Sequence, residues 1–240
     1  GSTTKGSNNK LFEIKLRNFL QIENISLSSS GTMAFYKILL AMGITKNDEI
    51  LMPDYMCNTL IGPIINLKAK AIPYDNEKNS WLSNIDIILK KITKKTKIIV
   101  INHTFGFVFE DIDKLKKKIS TKISIIEDCC HALTKNSQIG NHTISNHSLC
   151  SFYSFNSTKL IATGEGGAIA TKNKNFFKEI NKVKIGDNLS DLNCSLGLQQ
   201  IKELPNFLRK RKTIASIYDQ YFREFRGEVM RDKESIFYRY

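Results

Sequence analysis

Two Ile-rich runs, KIIVINH at 97–103 and KISIIED at 122–128, are apolar almost without alternation, and FEDIDKLKKKI between them is apolar at helical spacing. A strand that alternates buries one face; one that does not is buried on both, as in a parallel sheet covered by helices. The rhythm extends in both directions. GTMAFYKILLAMG puts Phe35, Ile38, Leu39 and Met42 on one helical face, between Gly31-Thr32 and Gly43. DEILMPDYMCNTLIGPII reads as a strand, a turn at Pro53 and a second helix; AKAIPYD, SLCSFYSF and GGAIAT read as further strands. From NKNFFKEINKV onward the chain turns helical, and LGLQQIKELPNFLRKRKTIASIYDQYFREF reads as one long helix kinked or broken before Pro205. The expected fold class is α/β, with a mostly parallel central sheet and helices on both faces.

A chain of 240 residues that is 41% hydrophobic can bury one large core. The expected division is a polar leader over 1–10, where GSTTKGSNNK resembles a cloning remnant, a large domain over 11–225, and the start of a C-terminal segment over 226–240. The net charge of +13 raises the question of a nucleic-acid partner. Lysine is, however, dispersed over runs such as KKITKKTK and KLKKKIS, which suit solvated helix faces, so no nucleic-acid partner is expected. Cys57, Cys129, Cys130, Cys150 and Cys194 are odd in number and form no C-x-x-C pair, which reads as reduced thiols in a cytoplasmic setting. No secretion signal is visible and no apolar run approaches the ~20 residues that span a bilayer. No membrane partner and no metal are expected.

Ligands of an open α/β sheet gather beyond the carboxyl ends of its strands. Three strand ends here are polar: Asn102-His103-Thr104, Glu127-Asp128 with His131 three residues on, and Ser154 to Lys159 in SFNSTK. A fourth candidate is the helix start SSSGT, where Ser30, Gly31 and Thr32 offer backbone N–H groups to an anion. Each has an ordinary explanation: Asp128 as a helix cap, His131 as a satisfied structural histidine, GEGG as a positive-φ turn, Ser-Gly-Thr as a cap. Together they match one cofactor. Pyridoxal 5'-phosphate needs a lysine amine for its Schiff base, a carboxylate beside its pyridine nitrogen, and hydroxyls with a helix N-terminus for its phosphate.

Five stretches in order, SSSGTMAFYKILLAMGITKNDEILMPDY, TKKTKIIVINHTFG, IIEDCCHAL, SFYSFNSTKLIATGEGG and DLNCSLGLQQIKEL, resemble the DegT/DnrJ/EryC1/StrS sugar aminotransferases, which are fold-type-I pyridoxal-phosphate enzymes. The resemblance covers most of residues 28–222. It implies that the fold is the large domain of a pyridoxal-phosphate-dependent transferase, with the small C-terminal domain largely absent. Lys159 takes the place of the Schiff-base lysine and general base, and Asp128 that of the pyridinium partner. Ser154, Gly31 and Thr32 fall in the phosphate cradle, and His131 lies near the cofactor ring. The implied reaction transfers an amino group, with glutamate as donor, to a nucleotide-linked keto sugar, in a homodimer.

The chain departs from the family at three places. Cys57 stands where an aromatic residue commonly covers the cofactor ring, and Tyr55 is the candidate to replace it. KIGDNLSDLNCSLG replaces the segment whose asparagine reaches a partner subunit's phosphate, leaving Asn188, displaced in register, as the candidate. Both ends look shortened, so the alternative to an active aminotransferase is a noncatalytic or reduced relative that binds cofactor or nucleotide sugar as a partner subunit. A related dehydratase is disfavoured because those relatives carry histidine in place of the lysine.

Overall fold

The two Ile-rich runs pair side by side, in parallel, at the centre of a seven-stranded sheet. The computed structural model describes residues 6–226 and 235–238. Its strands are β1 (Asn24–Ser28), β2 (Glu49–Pro53), β3 (Lys70–Tyr74), β4 (Thr96–Asn102) and β5 (Ser124–Asp128), then the short hairpin of β6 (Gln138–Ile139) and β7 (His142–Thr143), then β8 (Cys150–Ser154) and β9 (Gly167–Thr171). The sheet order is β1-β9-β8-β5-β4-β2-β3. β2, β3, β4, β5 and β8 pair in parallel, while β9 runs antiparallel to both its neighbours.

Helices cover both faces: α1 (Ser7–Leu20), α2 (Gly31–Ala41), α3 (Ile61–Asn66), α4 (Ile85–Leu89), α5 (Ile112–Lys118), α6 (Lys174–Lys182) and α7 (Asp191–Arg226). The strand side chains divide between them. Ile98, Val100, Ile126 and Phe152 point to the layer holding α2, α3 and α6, whereas Ile99, Ile101 and Ile125 pack with Ile88, Ile112 and Leu115 of α4 and α5. Tyr153 and Phe155 join a third cluster with Phe12, Leu16 and Leu20 of α1 and Leu204 of α7. The lysines of α5 lie outward, where Lys114 and Lys117 pair with Asp111 and Asp113. Among the described residues no helix is long and apolar enough to cross a membrane.

Two expectations are corrected. Residues 7–10, assigned to the leader, are the first turn of α1, and residues 1–5 lie outside the described residues. The local signal is one bond, Gly6 N donating to Asn9 Oδ1 at 3.1 Å, and the rest of the cap is remote: Asp191 accepts from Asn8 N at 2.9 Å, Asn9 N at 3.2 Å and Asn8 Nδ2 at 2.8 Å. The long helix, expected to be kinked or broken before Pro205, is not broken there. α7 runs through it, with Pro205 on the exposed side while Ile201 and Leu204 are held in the core, so packing spans the missing N–H.

The sheet's register places α2 against its floor. Gly167 pairs with both Ser28 and Ser154, and a Cβ there would overlap the Ser30 carbonyl and come within 2.7 Å of Gly31 N. A Cβ on Gly31 would lie 2.9 Å from that of Ser154. Only glycines let the N-terminus of α2 reach the end of β8 this closely. Gly167→Ala is therefore expected to destabilise the protein by ~1–3 kcal/mol, the range for overpacking, read as a lower midpoint in urea unfolding.

Candidate active site

The carboxyl ends of β2, β4, β5 and β8 and the start of α2 enclose a cavity of about 720 Å³. Seven of the eight expected site residues line it: Lys159, Asp128, His131, Ser154, Gly31, Thr32 and Tyr55. Asn188 does not; it is exposed on the segment between α6 and α7.

Adjacent strands set the floor. Asp128 ends β5, paired with Asn102 of β4 on one side and Phe152 of β8 on the other. No helix follows for it to cap; its Oδ1 accepts from Cys130 N two residues on, at 3.0 Å, within a turn. Burial pushes its carboxyl above the ordinary range, against the pull of Cys130, Lys159 and His103. The Cys130 thiol, itself pushed well up by burial, hydrogen-bonds to it. Asn102 ties two walls together, donating from Nδ2 to Tyr55 O at 3.2 Å and to Thr104 Oγ1 at 2.5 Å.

Lys159 sits on a loop that closes on itself. Phe155 N donates to Gly166 O, Ser157 N to Gly164 O and Thr163 N to Phe155 O, with Gly164 at φ +84°. The half-buried lysine extends from this loop to place Nζ 3.0 Å from His131 Nε2. His131 Nδ1 in turn accepts from Phe105 N at 3.2 Å. At the opposite wall Ser30 caps α2 by accepting from Met33 N, and Thr32 Oγ1 meets Thr59 Oγ1 at 3.0 Å. Cys57 faces the cavity, its Sγ 3.1 Å from Thr59 Oγ1. Tyr55, 52% exposed, packs with Trp81 and Phe105 at ring distances of 5.5 and 6.1 Å.

Behind Asp128 lies a buried polar hub. Glu127 Oε2 accepts from His103 Nε2 at 2.9 Å and His142 Nε2 at 2.6 Å, and Oε1 from Ser145 N at 2.8 Å and Ser148 Oγ at 2.5 Å. Burial alone would raise this carboxyl; the two histidines hold it well below the usual range instead. Ligand-type atoms of His103, Glu127 and Cys129 lie within 4.8 Å of one another. Little is left there for a cation: His103 Nδ1 accepts from Phe109 N, so Nε2 carries the ring hydrogen, all four acceptor positions of Glu127 are used, and burial pushes the Cys129 thiol well up.

Phe105, Glu165 and Tyr238 also belong to this neighbourhood and were missed in the sequence. Glu165 holds Asn156 Nδ2 at 3.1 Å and lies within the quoted glycine turn, so its place was within reach. Tyr238 stacks on His131 at 4.0 Å from a distant segment with no local motif to announce it.

Comparison with known proteins adds the family. The chain is 27% identical to GDP-perosamine synthase of Escherichia coli O157:H7 over 99% of its own length and 69% of that protein. It is 30% identical to dTDP-4-amino-4,6-dideoxy-D-glucose transaminase of Shigella dysenteriae over 94% of this chain and 64% of that one. It thus spans about two thirds of the length of such curated relatives. Among solved structures, NtdA of Bacillus subtilis with bound PMP superposes with a TM-score of 0.89 at 24% identity, covering 99% of this chain and 59% of that one. Helicobacter pylori PseC, an aminotransferase of pseudaminic acid biosynthesis, gives 0.87 at 22%, covering 99% and 70%. Residues 1–236 match the DegT/DnrJ/EryC1/StrS aminotransferase family, and the chain belongs to it.

Proposed function

We propose that this chain carries the cofactor site of a sugar aminotransferase, in which pyridoxal 5'-phosphate moves an amino group from glutamate to a nucleotide-linked keto sugar. The observation that supports it most is the convergence of Lys159, Asp128 and the α2 N-terminus with Ser154 on one cavity. The donor set suits the cofactor. A ring nitrogen that becomes cationic beside Asp128 would give this buried carboxyl a charged partner in addition to its Cys130 bonds. Ser154 Oγ and the N–H groups at Gly31 and Thr32 suit a phosphate, at a helix start where glycine leaves room for backbone approach. NtdA, in its PMP-bound structure, offers a relative of the same fold.

When bound, the cofactor supplies an electron sink for a carbanion at the amino-bearing carbon. Lys159 would hold it covalently at rest and, once displaced by the amino donor, would move the proton at that carbon. Asp128 would keep the ring nitrogen protonated, and His131 would orient Nζ. Tyr55 would cover the ring in place of the aromatic residue that Cys57 replaces. Asn188 would serve a second copy's phosphate in a homodimer. The reduced thiols fit a cytoplasmic enzyme.

The test is incubation with pyridoxal phosphate, borohydride reduction and peptide mapping, followed by turnover with glutamate and keto-sugar nucleotides. An adduct confined to Lys159 supports the reading. Scattered or absent labelling would turn it toward the noncatalytic relative. Asp128→Asn is expected to retain the Lys159 adduct but to lower the transamination rate by ~10²–10⁴-fold, the range of a proton-transfer contribution, in a stopped-flow half-reaction with glutamate.

A further inference from the structure

We propose that Tyr238 is a positioning residue of this site: by stacking on His131 it fixes the imidazole that hydrogen-bonds Lys159. The proposal rests on the reading of Lys159 as the reactive amine.

The segment 235–238 returns from beyond α7 and is anchored at several points. Tyr238 N donates to Phe105 O at 3.3 Å, its hydroxyl donates to Thr158 O at 3.0 Å, and its carbonyl accepts from Arg211 NH1 at 2.7 Å. These bonds, two from the backbone and one from the hydroxyl, attach one residue to the turn after β4, to the residue preceding Lys159 and to α7. Its ring, almost fully buried, lies 4.0 Å from that of His131 and 12° from parallel; the Phe105 ring is also parallel to His131, at 5.7 Å and 5°. Lys159 Nζ lies 5.3 Å from the Tyr238 ring centroid.

This orientation decides which nitrogen faces the lysine. Phe105 N–H points at Nδ1, so the ring hydrogen of a neutral imidazole resides on Nε2 and is aimed at Nζ. An ammonium has no lone pair with which to accept it. The free amine, the form that attacks a carbonyl carbon, is the form with a lone pair to accept it. A ring turned over would place Cε1 where Nε2 faces the lysine and Cδ2 where Nδ1 accepts from Phe105, and would lose both bonds. Aromatic stacking opposes rotation out of the plane, and the peptide N–H selects the face.

The experiment uses the full chain as the wild type, Tyr238→Phe, Tyr238→Leu and Arg211→Gln. The first readout needs no cofactor: long-range ¹H–¹⁵N spectra report the His131 tautomer. The second is the initial rate of borohydride-trapped pyridoxal phosphate on Lys159. We expect a single Nε2–H tautomer in the wild type and in Tyr238→Phe, which keeps the ring. Tyr238→Leu should show mixed tautomers and trapping slowed about three- to tenfold, the size of an aromatic pair's contribution. Arg211→Gln loosens the segment without altering either ring and should move both readouts the same way, so the test survives if the leucine variant does not fold. An unchanged tautomer and trapping rate in Tyr238→Leu, or in Arg211→Gln where the leucine variant does not fold, would overturn the proposal. If the wild type shows the fixed tautomer but no Lys159 adduct, the reading of Lys159 fails instead.

Discussion

Lys159→Ala is expected to remove the borohydride-trapped adduct entirely and to lower transamination by at least ~10²–10⁴-fold, from the lost proton transfer alone. The geometry explains why the neighbouring His131 does not take over. Nζ reaches the cavity from a loop whose backbone is closed by Phe155, Ser157 and Thr163, and its position is set by the bond to His131. His131 Nε2 carries its hydrogen toward Nζ and so has no lone pair free to accept a proton there. Adding a small primary amine to the alanine variant should restore part of the proton-transfer rate without restoring the adduct. Full-rate turnover by the alanine variant would sink the mechanism.

The second large effect concerns stability. Glu127→Gln keeps the shape of the buried side chain but exchanges one carboxylate oxygen for an NH2 group. One of the two donor pairs, the histidines or the Ser145 and Ser148 groups, then faces a donor. Two unmet hydrogen bonds in a fully buried place should cost roughly 2–5 kcal/mol at neutral pH. The pH dependence has a definite sign. The folded state holds this carboxyl below its ordinary value of 4.5, so its contribution is present in full above that pH and fades as pH falls below it. Urea unfolding of both proteins should show a gap that narrows between about pH 4.5 and about pH 3. A gap that stays constant over that interval would show that the carboxylate's charge is not what stabilises the hub.

Most of the sheet was legible because its evidence is local. The runs ending at Asn102, Asp128 and Ser154 became β4, β5 and β8, and Phe35, Ile38 and Leu39 became the buried face of α2. The meeting of strand ends was legible for the same reason, since seven of eight named residues line one cavity. What escaped depends on distant partners. The start of α1 is capped by Asp191, more than 180 positions away, and nothing in GSTTKGSNNK announces it. NISLS was not read as a strand; as β1 it is held at the sheet's end by pairing with β9. Pro205 signalled a break that core packing on either side overrides. Tyr238 acts through a stack with His131 that only the folded chain creates.

The close fit of Gly31 and Gly167 also fixes when the site can come into being. α2 is made early, yet its N-terminus has nothing to dock against until β8 and β9, more than a hundred positions later, have joined the sheet. Contacts that long in sequence close only after the intervening chain has surrendered its freedom. Synthesis proceeds from the N-terminus, so a nascent chain that ends before β9 carries Asp128 and the start of α2 but lacks the strand of Gly167 against which that helix start docks. A ligand that spans both walls can thus be captured only by a chain whose sheet is finished, which makes cofactor uptake a mark of completed folding rather than an aid to its early steps.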